Sequence, residues 1–431
     1  MSTPFALALA AIVALSLLGL PIGHAMIAGS ILYLYAKGLD MGTAAEQLLN
    51  GMYSSYLLLA IPLFILAAEF MNSGSIMDRL LAFCNALVGR WRGGLAHVNV
   101  VQSIIFAGMS GSALADAASS GKLMQIMMTK DGKYPPAFAA ALTAVSSVIG
   151  PIIPPSIPMV LYALISDTSI GYLFLGGFIP GLIIGAVQMG WIAYVANTRN
   201  FPVERAVPLR ELPRVTWEAF PALLMPVILF GCLYSGITTP TEAAAAAAAY
   251  ALLASAVIYG GVTGRSIYNS LMTSARITIS IGMLIAGALV FNYVVTVENI
   301  PRTLSAFLKA YELSPAAFLI FANIVLLILG CFLEGTTILL VFVPVLLPTA
   351  QALGIDPVHF GIVAVVNIMI GLITPPYGLL LFLMMKIADV TLKELVREVM
   401  PFLAVMIVAL GLITFIPDLV LFLPRLMGYK G

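Results

Sequence analysis

Apolar residues form long runs along the chain, and the polar residues between them are gathered into short segments. The first run, Phe5 to Leu20, has no basic segment before it and no clear cleavage site, so it is predicted to be a retained helix. A helix needs about 20 apolar residues to cross a membrane, and 431 residues leave room for roughly ten to twelve membrane elements. The pattern predicts an all-α polytopic membrane protein with about ten spanning helices and two re-entrant helical hairpins.

Two proline pairs interrupt these apolar runs in matching contexts. Pro154-Pro155 follows Gly150, and Pro375-Pro376 follows Gly371, at an offset of 221 residues (375 − 154). A proline pair removes two backbone donors and clashes with the preceding turn, so a helix breaks there. In lipid, such a break survives only where it is enclosed by protein or lines a cavity. Breaks at equivalent positions of two halves are typical of a transporter with a midplane binding site.

The two halves match beyond the prolines, since Pro135-Pro-Ala-Phe138 resembles Asp356-Pro-Val-His359 at the same spacing. Each half is predicted to contain five full crossings, and this odd number makes the two repeats run in opposite directions through the membrane. The predicted parts are a first inverted repeat at 1–198 with a hairpin at 97–129 and a broken helix at 135–166, a cytoplasmic linker at 199–218, and a second repeat at 219–431 with a hairpin at 314–354 and a broken helix at 357–387.

Each hairpin is inferred from a small, polar tip inside an apolar stretch. Residues 97–129 have basic residues near both ends, which a single crossing would place on opposite sides of the membrane. Half-helices of about 12–15 residues reach only mid-bilayer at ~1.5 Å per residue. The predicted tips run from Gly108 to Asp116 and from Gly330 to Thr337. The flanking stretches 74–92 and 298–313 are predicted to be interfacial helices.

Composition and charge support the membrane assignment and set an orientation. The chain is 61% hydrophobic and 9% charged, with a formal net charge of +1, which argues against a nucleic-acid partner. Placing residues 74–92 in the cytoplasm puts 15 of the 20 Lys and Arg residues inside, and both termini outside. Cys84, Cys232 and Cys331 show no metal-ligand spacing.

The hairpin tips and the proline breaks are expected to converge on one site. Starts of half-helices carry partial positive charge and free N–H groups, which suit an anion, whereas unwound carbonyls and hydroxyls suit Na⁺. This combination is what a carboxylate symporter needs. The predicted substrate-binding residues are Ser110, Gly111, Ser112, Pro154, Pro155, Ser156, Thr336, Thr337, Thr374, Pro375 and Pro376.

Several of these residues admit a structural reading as well. Ser110, Gly111 and Ser112 could form a small-residue helix contact, and Thr336 and Thr337 could bond back to helix carbonyls. An acid within the membrane is a functional hypothesis by default. Asp116 and Glu334 are therefore expected either to bind a cation or to brace their tips, and the sequence leaves both roles open.

The chain resembles the large membrane subunit of tripartite ATP-independent periplasmic (TRAP) transporters, within the wider ion-transporter superfamily. Specific strings carry the resemblance, notably Gly236-Ile-Thr-Thr-Pro-Thr-Glu-Ala-Ala244 and Gly354-Ile-Asp-Pro-Val-His-Phe360, together with Ala60-Ile-Pro-Leu-Phe64 and the tip and break segments. These segments cover both halves nearly end to end.

The resemblance implies an elevator mechanism, in which a transport domain holding the hairpins and broken helices slides against a scaffold. It implies a Na⁺ gradient as the driving force, an organic acid as substrate, and a bacterial cytoplasmic membrane as the location. It also implies two partners, a small membrane subunit of about four helices and a soluble periplasmic binding protein. Two or more Na⁺ ions would bind, one between each tip and its break, and the candidate ligands are Gly108, Ser110, Ser112, Asp116, Gly150, Gly330, Glu334, Gly335, Thr336, Gly371 and Thr374.

The main alternative is a stand-alone Na⁺/carboxylate symporter of the same superfamily, which would need no partners. It would typically carry Ser-Asn-Thr at each tip, whereas this chain has Ser-Gly-Ser at 110–112 and Glu-Gly-Thr-Thr at 334–337. A proton-translocating subunit of a redox complex is disfavoured because Lys and Arg are confined to loops and ends. A channel is disfavoured because paired re-entrant tips suit an occluded site. No motif of a catalytic triad, P-loop or metal cluster is present, so no enzyme is expected.

Overall fold

The computed structural model describes residues 2–53, 56–72, 74–203, 208, 210–235, 237–260, 263–300, 302–303 and 314–431. These residues form helices joined by short turns and contain no β-strand beyond one isolated bridge, between Arg92 and Val203. The prediction of an all-α fold is therefore confirmed. The predicted interfacial helix at 74–92 corresponds to a helix over Gly74–Val88, whereas most of the second one, at 298–313, lies outside the described residues.

One group of helices comes from the N-terminal and central parts of the chain. It consists of α1 (Thr3–Leu17), α2 (Ile22–Lys37), α3 (Gly42–Tyr53), α4 (Ala60–Met71), α5 (Gly74–Val88), α12 (Leu212–Tyr234), α13 (Pro240–Leu253) and α14 (Gly264–Val297). Helix α4 packs against α13 and α14, α2 packs against α1 and α14, and α12 packs against α13. Helix α5 contacts α12 of this group and also the helix that follows it in the chain, α6 (Gly94–Ser110), which belongs to the other group.

The second group contains the predicted hairpins and broken helices. It consists of α6 (Gly94–Ser110), α7 (Ala113–Asp116), α8 (Lys122–Thr129), α9 (Pro136–Ser147), α10 (Ile157–Ser166), α11 (Ile170–Thr198), α15 (Pro315–Gly330), α16 (Gly335–Val341), α17 (Val343–Ala352), α18 (Pro357–Gly371), α19 (Leu379–Ala388), α20 (Leu392–Phe415) and α21 (Asp418–Leu426). A π-helical turn at Ala117–Gly121 joins α7 to α8. Helix α6 contacts α7 and α8, and α15 contacts α16 and α17, so the chain folds back on itself at each tip.

Five described helices are long and apolar enough to cross a membrane, and the number rises to seven if two bent helix pairs each count as one span. Several further apolar helices of 10–17 residues are too short to cross alone, and they include both parts of each broken helix. The structure therefore supports a multi-pass membrane protein, and the total of about ten crossings and the inverted repeat stay predictions.

Turn chemistry explains where several helices begin. Thr239 caps α13 in a reciprocal capping box with Glu242, and Pro240 occupies the first helical position, where its missing N–H costs nothing. Thr391 and Glu394 form the same box at the start of α20. The sequence Thr239-Pro240-Thr241-Glu242 is thus explained by its role in starting helix α13.

Each hairpin is tied to a broken helix by buried polar groups. In the first half, the Asn99 amide donates to Thr143 at 2.9 Å, and Ser146 donates to Asn99 at 3.2 Å. In the second half, the Asn367 amide donates to both the carbonyl and the side-chain oxygen of Asn323, at 2.9 and 2.7 Å. Ser146 and Asn367 are 221 residues apart (367 − 146), which is the offset of the proline pairs.

The second hairpin and the second broken helix also meet backbone to backbone. A Cβ placed on Gly371 would lie 2.6 Å from Cα of Gly330, and one placed on Gly330 would lie 2.8 Å from Cα of Gly371. No larger residue fits at either position without moving the main chain, so this contact fixes the distance between α15 and α18.

Gly371→Ala is expected to lower the free energy of unfolding by about 1–3 kcal/mol, the usual cost of overpacking a core. Gly411→Ala on α20 is the matched control, because a Cβ there meets nothing within 4 Å. Thermal unfolding of both variants in detergent checks this. Equal stability of the two variants would contradict the close contact.

Asn367→Ala is expected to lower the free energy of unfolding by about 1–3 kcal/mol, because it removes both hydrogen bonds to Asn323 on α15 and leaves the half-buried side-chain oxygen of Asn323 without this donor. Asn197→Ala is the control, since Asn197 is exposed and bonds only to its own helix, at Ala193. The same unfolding assay applies, and an Asn367→Ala variant as stable as Asn197→Ala would refute the inference.

Candidate functional site

A cavity of about 390 Å³ lies where the two hairpin tips approach each other. The first tip contributes Ser110, Gly111 and Ser112, and the second contributes Glu334 and Thr336. Helices α4 and α14 of the first group also line the cavity. The remaining lining residues are Ile65, Ala68, Glu69, Ala113, Leu114, Ala115, Pro151, Ile157, Pro158, Ile277, Ser280, Ile281, Leu284, Met369 and Leu372.

The first tip is a tight turn that only glycine allows. Gly111 ends α6 with φ +61°, in the left-handed region, and a Cβ there would lie 2.5 Å from the carbonyl oxygen of Pro155. A Cβ on Gly150 would face the backbone of Ser112 at 3.7 Å. The first tip therefore rests directly on the first break. Pro154 and Pro155 are joined by a cis peptide bond, as are Pro375 and Pro376.

Three predicted ligands serve as helix caps. Ser112 accepts a bond from the Ala115 N–H at 3.4 Å, and Ser156 accepts one from the Met159 N–H at 3.2 Å. Glu334 accepts one from the Thr337 N–H at 3.4 Å. Sequence reasoning expected free donors at these helix starts, but the caps already satisfy some of them.

Two kinds of donor are still available at the first tip. The Ser112 oxygen accepts its capping bond, which leaves the hydroxyl proton free to bond a ligand. Ala113 and Leu114 occupy the first two positions of α7, where a helix supplies no partner for the N–H. Both residues line the cavity.

The second tip is held by internal bonds. Thr336 donates its hydroxyl to Glu334, and the Gly378 N–H donates to the carbonyl of Cys331 at 3.3 Å, which links this tip to the second break. Thr374 bonds back to the carbonyl of Ile370 at 2.8 Å. The sequence analysis considered hydrogen bonds from Thr336 and Thr337 to helix carbonyls. The structure shows such a bond for Thr374, whereas Thr336 donates to the Glu334 side chain.

Asp116 is buried behind the first tip and does not line the cavity. One carboxylate oxygen accepts from Ser103 on α6 at 2.9 Å, and the other accepts from Ser120. These bonds join the two arms of the hairpin. Of the two roles left open by the sequence, bracing is the one that these contacts provide, and cation binding stays a prediction.

The structure thus divides the predicted residues into two sets. The tip residues Ser110, Gly111, Ser112, Glu334 and Thr336 line the cavity. The other predicted residues do not line it; they are Gly108, Asp116, Gly150, Pro154, Pro155, Ser156, Gly330, Gly335, Thr337, Gly371, Thr374, Pro375 and Pro376. Among the described residues, no group of three or more His, Cys, Asp or Glu side chains is placed to hold a metal ion.

The sequence analysis did not predict that α4 and α14 line the cavity. Glu69 on α4 and Ser280 on α14 both line the cavity, and neither has an equivalent in the other half that would draw attention to it. One signal was present, because Glu69 is an acid within an apolar helix, and such acids are functional hypotheses by default.

Comparison with known proteins agrees with this architecture. Residues 9–419 match the family model described as the DctM component of tripartite ATP-independent periplasmic transporters. The chain is 40% identical over 413 residues to the sialic acid TRAP transporter large permease protein SiaM of Vibrio cholerae, covering 95% of this chain and 96% of that one. It is 42% identical over 373 residues to the C4-dicarboxylate TRAP transporter large permease protein DctM of Pseudomonas aeruginosa, covering 86% and 87%.

The fold also resembles a solved structure, the YdaH transporter of Alcanivorax borkumensis, with a TM-score of 0.62 over 85% of this chain and 86% of that one. Identity to that transporter is 14%, so this likeness concerns the fold alone. The two relatives are named as transporter permeases, which agrees with the expectation that the chain is not an enzyme. The match over nearly the whole chain shows that it belongs to the DctM family, the large permease component of TRAP transporters.

Proposed function

We propose that this chain carries an organic acid anion across the bacterial cytoplasmic membrane, coupled to Na⁺. The observation that carries the proposal is the cavity between the two tips, whose lining includes hydroxyl groups from both halves, on Ser110, Ser112, Ser280 and Thr336. The substrate is a carboxylate such as a sialic acid or a C4-dicarboxylate, the classes for which the two relatives are named.

The donors at the first tip suit one carboxylate. The Ser112 hydroxyl and the N–H groups of Ala113 and Leu114 lie along one edge of the cavity. Hydrogen bonds from such groups to a charged acceptor are stronger than those between neutral groups. A carboxylate needs no arginine here, since hydroxyl and backbone donors replace the water that it loses.

Na⁺ is a hard cation and binds oxygen ligands, which the proline breaks offer as carbonyls outside regular helix. The first tip rests on residues 148–156 and the second rests on residues 372–378. Two Na⁺ ions that cross with one monovalent anion move one net positive charge inward. A membrane potential of 100 mV, negative inside, favours that movement by about 2.3 kcal/mol.

An elevator motion would use the boundary between the two helix groups. Both groups line the cavity, the second through the tips and the breaks and the first through α4 and α14. Sliding one group along the other would carry the tips and their ligands across the membrane while their internal contacts, such as Gly330 to Gly371, persist.

The family is tripartite, and we propose the two corresponding partners for this chain. A small membrane subunit of about four helices would complete the membrane complex. A periplasmic binding protein would deliver the substrate at the outer face, where both termini are proposed to lie.

Uptake of labelled organic acids into proteoliposomes is expected to require this chain, the small membrane subunit, the binding protein and an inward Na⁺ gradient together. Omitting each component in turn, and replacing Na⁺ by K⁺, provides the controls. Na⁺-driven uptake by this chain alone would instead establish a stand-alone symporter. Uptake that is indifferent to Na⁺ would refute the coupling.

Ser112→Ala is expected to lower the apparent affinity of uptake about tenfold, or about 1.4 kcal/mol, because it removes a donor and a helix cap. Ser112→Thr keeps both and should restore most of the affinity. Ser119→Ala is the matched control, since Ser119 is on the same hairpin, bonds to the carbonyl of Ala115 and does not line the cavity. Equal affinities for Ser112→Ala and Ser119→Ala would exclude a role for the Ser112 hydroxyl.

A further inference from the structure

Glu69 stands out among the residues of the cavity. It lies near the end of α4, is partly buried, and its side chain has no hydrogen bond or ion pair with any residue that the structure describes. The other acid of the lining, Glu334, accepts bonds from the Thr337 N–H and the Thr336 hydroxyl on one of its oxygens, Oε2. Glu69 is therefore the acid of the lining that has both oxygens available to a ligand.

The lining is also unbalanced in charge. It contains two acids, Glu69 and Glu334, and no Lys, Arg or His. Arg276 is one helical turn before Ser280 on α14, but it does not line the cavity. A partly buried carboxylate without a basic partner repels a second carboxylate brought close to it, and accepts hydrogen bonds from hydroxyl or amide N–H groups.

The lining consequently combines two chemistries. The first tip offers donors from Ser112, Ala113 and Leu114, which suit a carboxylate. Glu69 offers two acceptor oxygens. A dicarboxylate bound at the first tip would bring its second carboxylate into a lining that holds two acids and no basic side chain. A hydroxylated monocarboxylate can instead donate hydrogen bonds to Glu69.

We infer that Glu69 determines specificity, selecting a monocarboxylate that carries hydroxyl or amide N–H donors and rejecting dicarboxylates. This inference rests on the proposed function, since it assumes that the cavity takes an organic acid. It separates the two substrate classes for which the relatives are named, and it assigns this chain to sugar acids of the sialic acid kind.

The test is direct binding to the purified chain and its small membrane subunit in detergent with NaCl, which removes the selectivity of the binding protein. Labelled N-acetylneuraminate and labelled succinate are the two probes. The wild-type complex is expected to bind N-acetylneuraminate at least tenfold more tightly than succinate. Glu69→Gln is expected to weaken the binding of N-acetylneuraminate about tenfold and to tighten the binding of succinate about tenfold. The reason is that the Gln side chain keeps the shape of Glu69 and loses its negative charge.

Two further variants guard against a merely structural effect. Glu69→Asp keeps the charge and should keep the order of preference even if both affinities fall. Glu46→Gln removes an exposed acid on α3, outside the cavity, and should behave as wild type. An unchanged preference in Glu69→Gln, or a wild-type preference for succinate, overturns the inference while leaving Na⁺-dependent transport intact. Absence of Na⁺-dependent binding of either probe to the wild-type complex would count against the proposed function itself, and the inference would fall with it.

Discussion

The structure depends on one constraint, which is that unwound backbone in an apolar fold must be enclosed by other protein groups. Residues 148–156 and 372–378 are not regular helix, and lipid could not satisfy their N–H and C=O groups. Each break is covered by a hairpin tip that approaches to backbone distance, through Gly111 over Pro155 and Gly330 against Gly371. The re-entrant hairpins and the broken helices therefore require each other.

This mutual cover also creates the site. Two tips that each rest on a break end near the same point, and the mainly apolar space between them receives Ser110, Ser112, Glu334 and Thr336 from the tips. The bonds from Asn99 and Asn367 hold the arms of the hairpins to the broken helices. The tip residues are thereby tied to the broken helices, and α4 and α14 of the other group also line the cavity.

The elements of the site could be foreseen from the sequence because proline pairs and small polar tips have local consequences for the backbone. The roles of individual side chains could not. Ser112, Ser156 and Glu334 were expected as ligands, and the structure shows that they also serve as helix caps, a role that depends on the exact residue at which each helix begins. The position of Glu69 in the cavity lining could not be predicted, because it depends on how helices far apart in the sequence pack together.

The close seating of Gly111 on Pro155 restricts how this protein can change over evolutionary time. A tip held at backbone distance accepts neither a longer loop nor a bulkier residue, so substitutions there would be purged for folding reasons before they could alter recognition. Glu69 and Ser280, which line the cavity from α4 and α14, are not glycines held at backbone distance. Under the proposed function, a change of substrate range is therefore expected to arise on these helices rather than at the first tip.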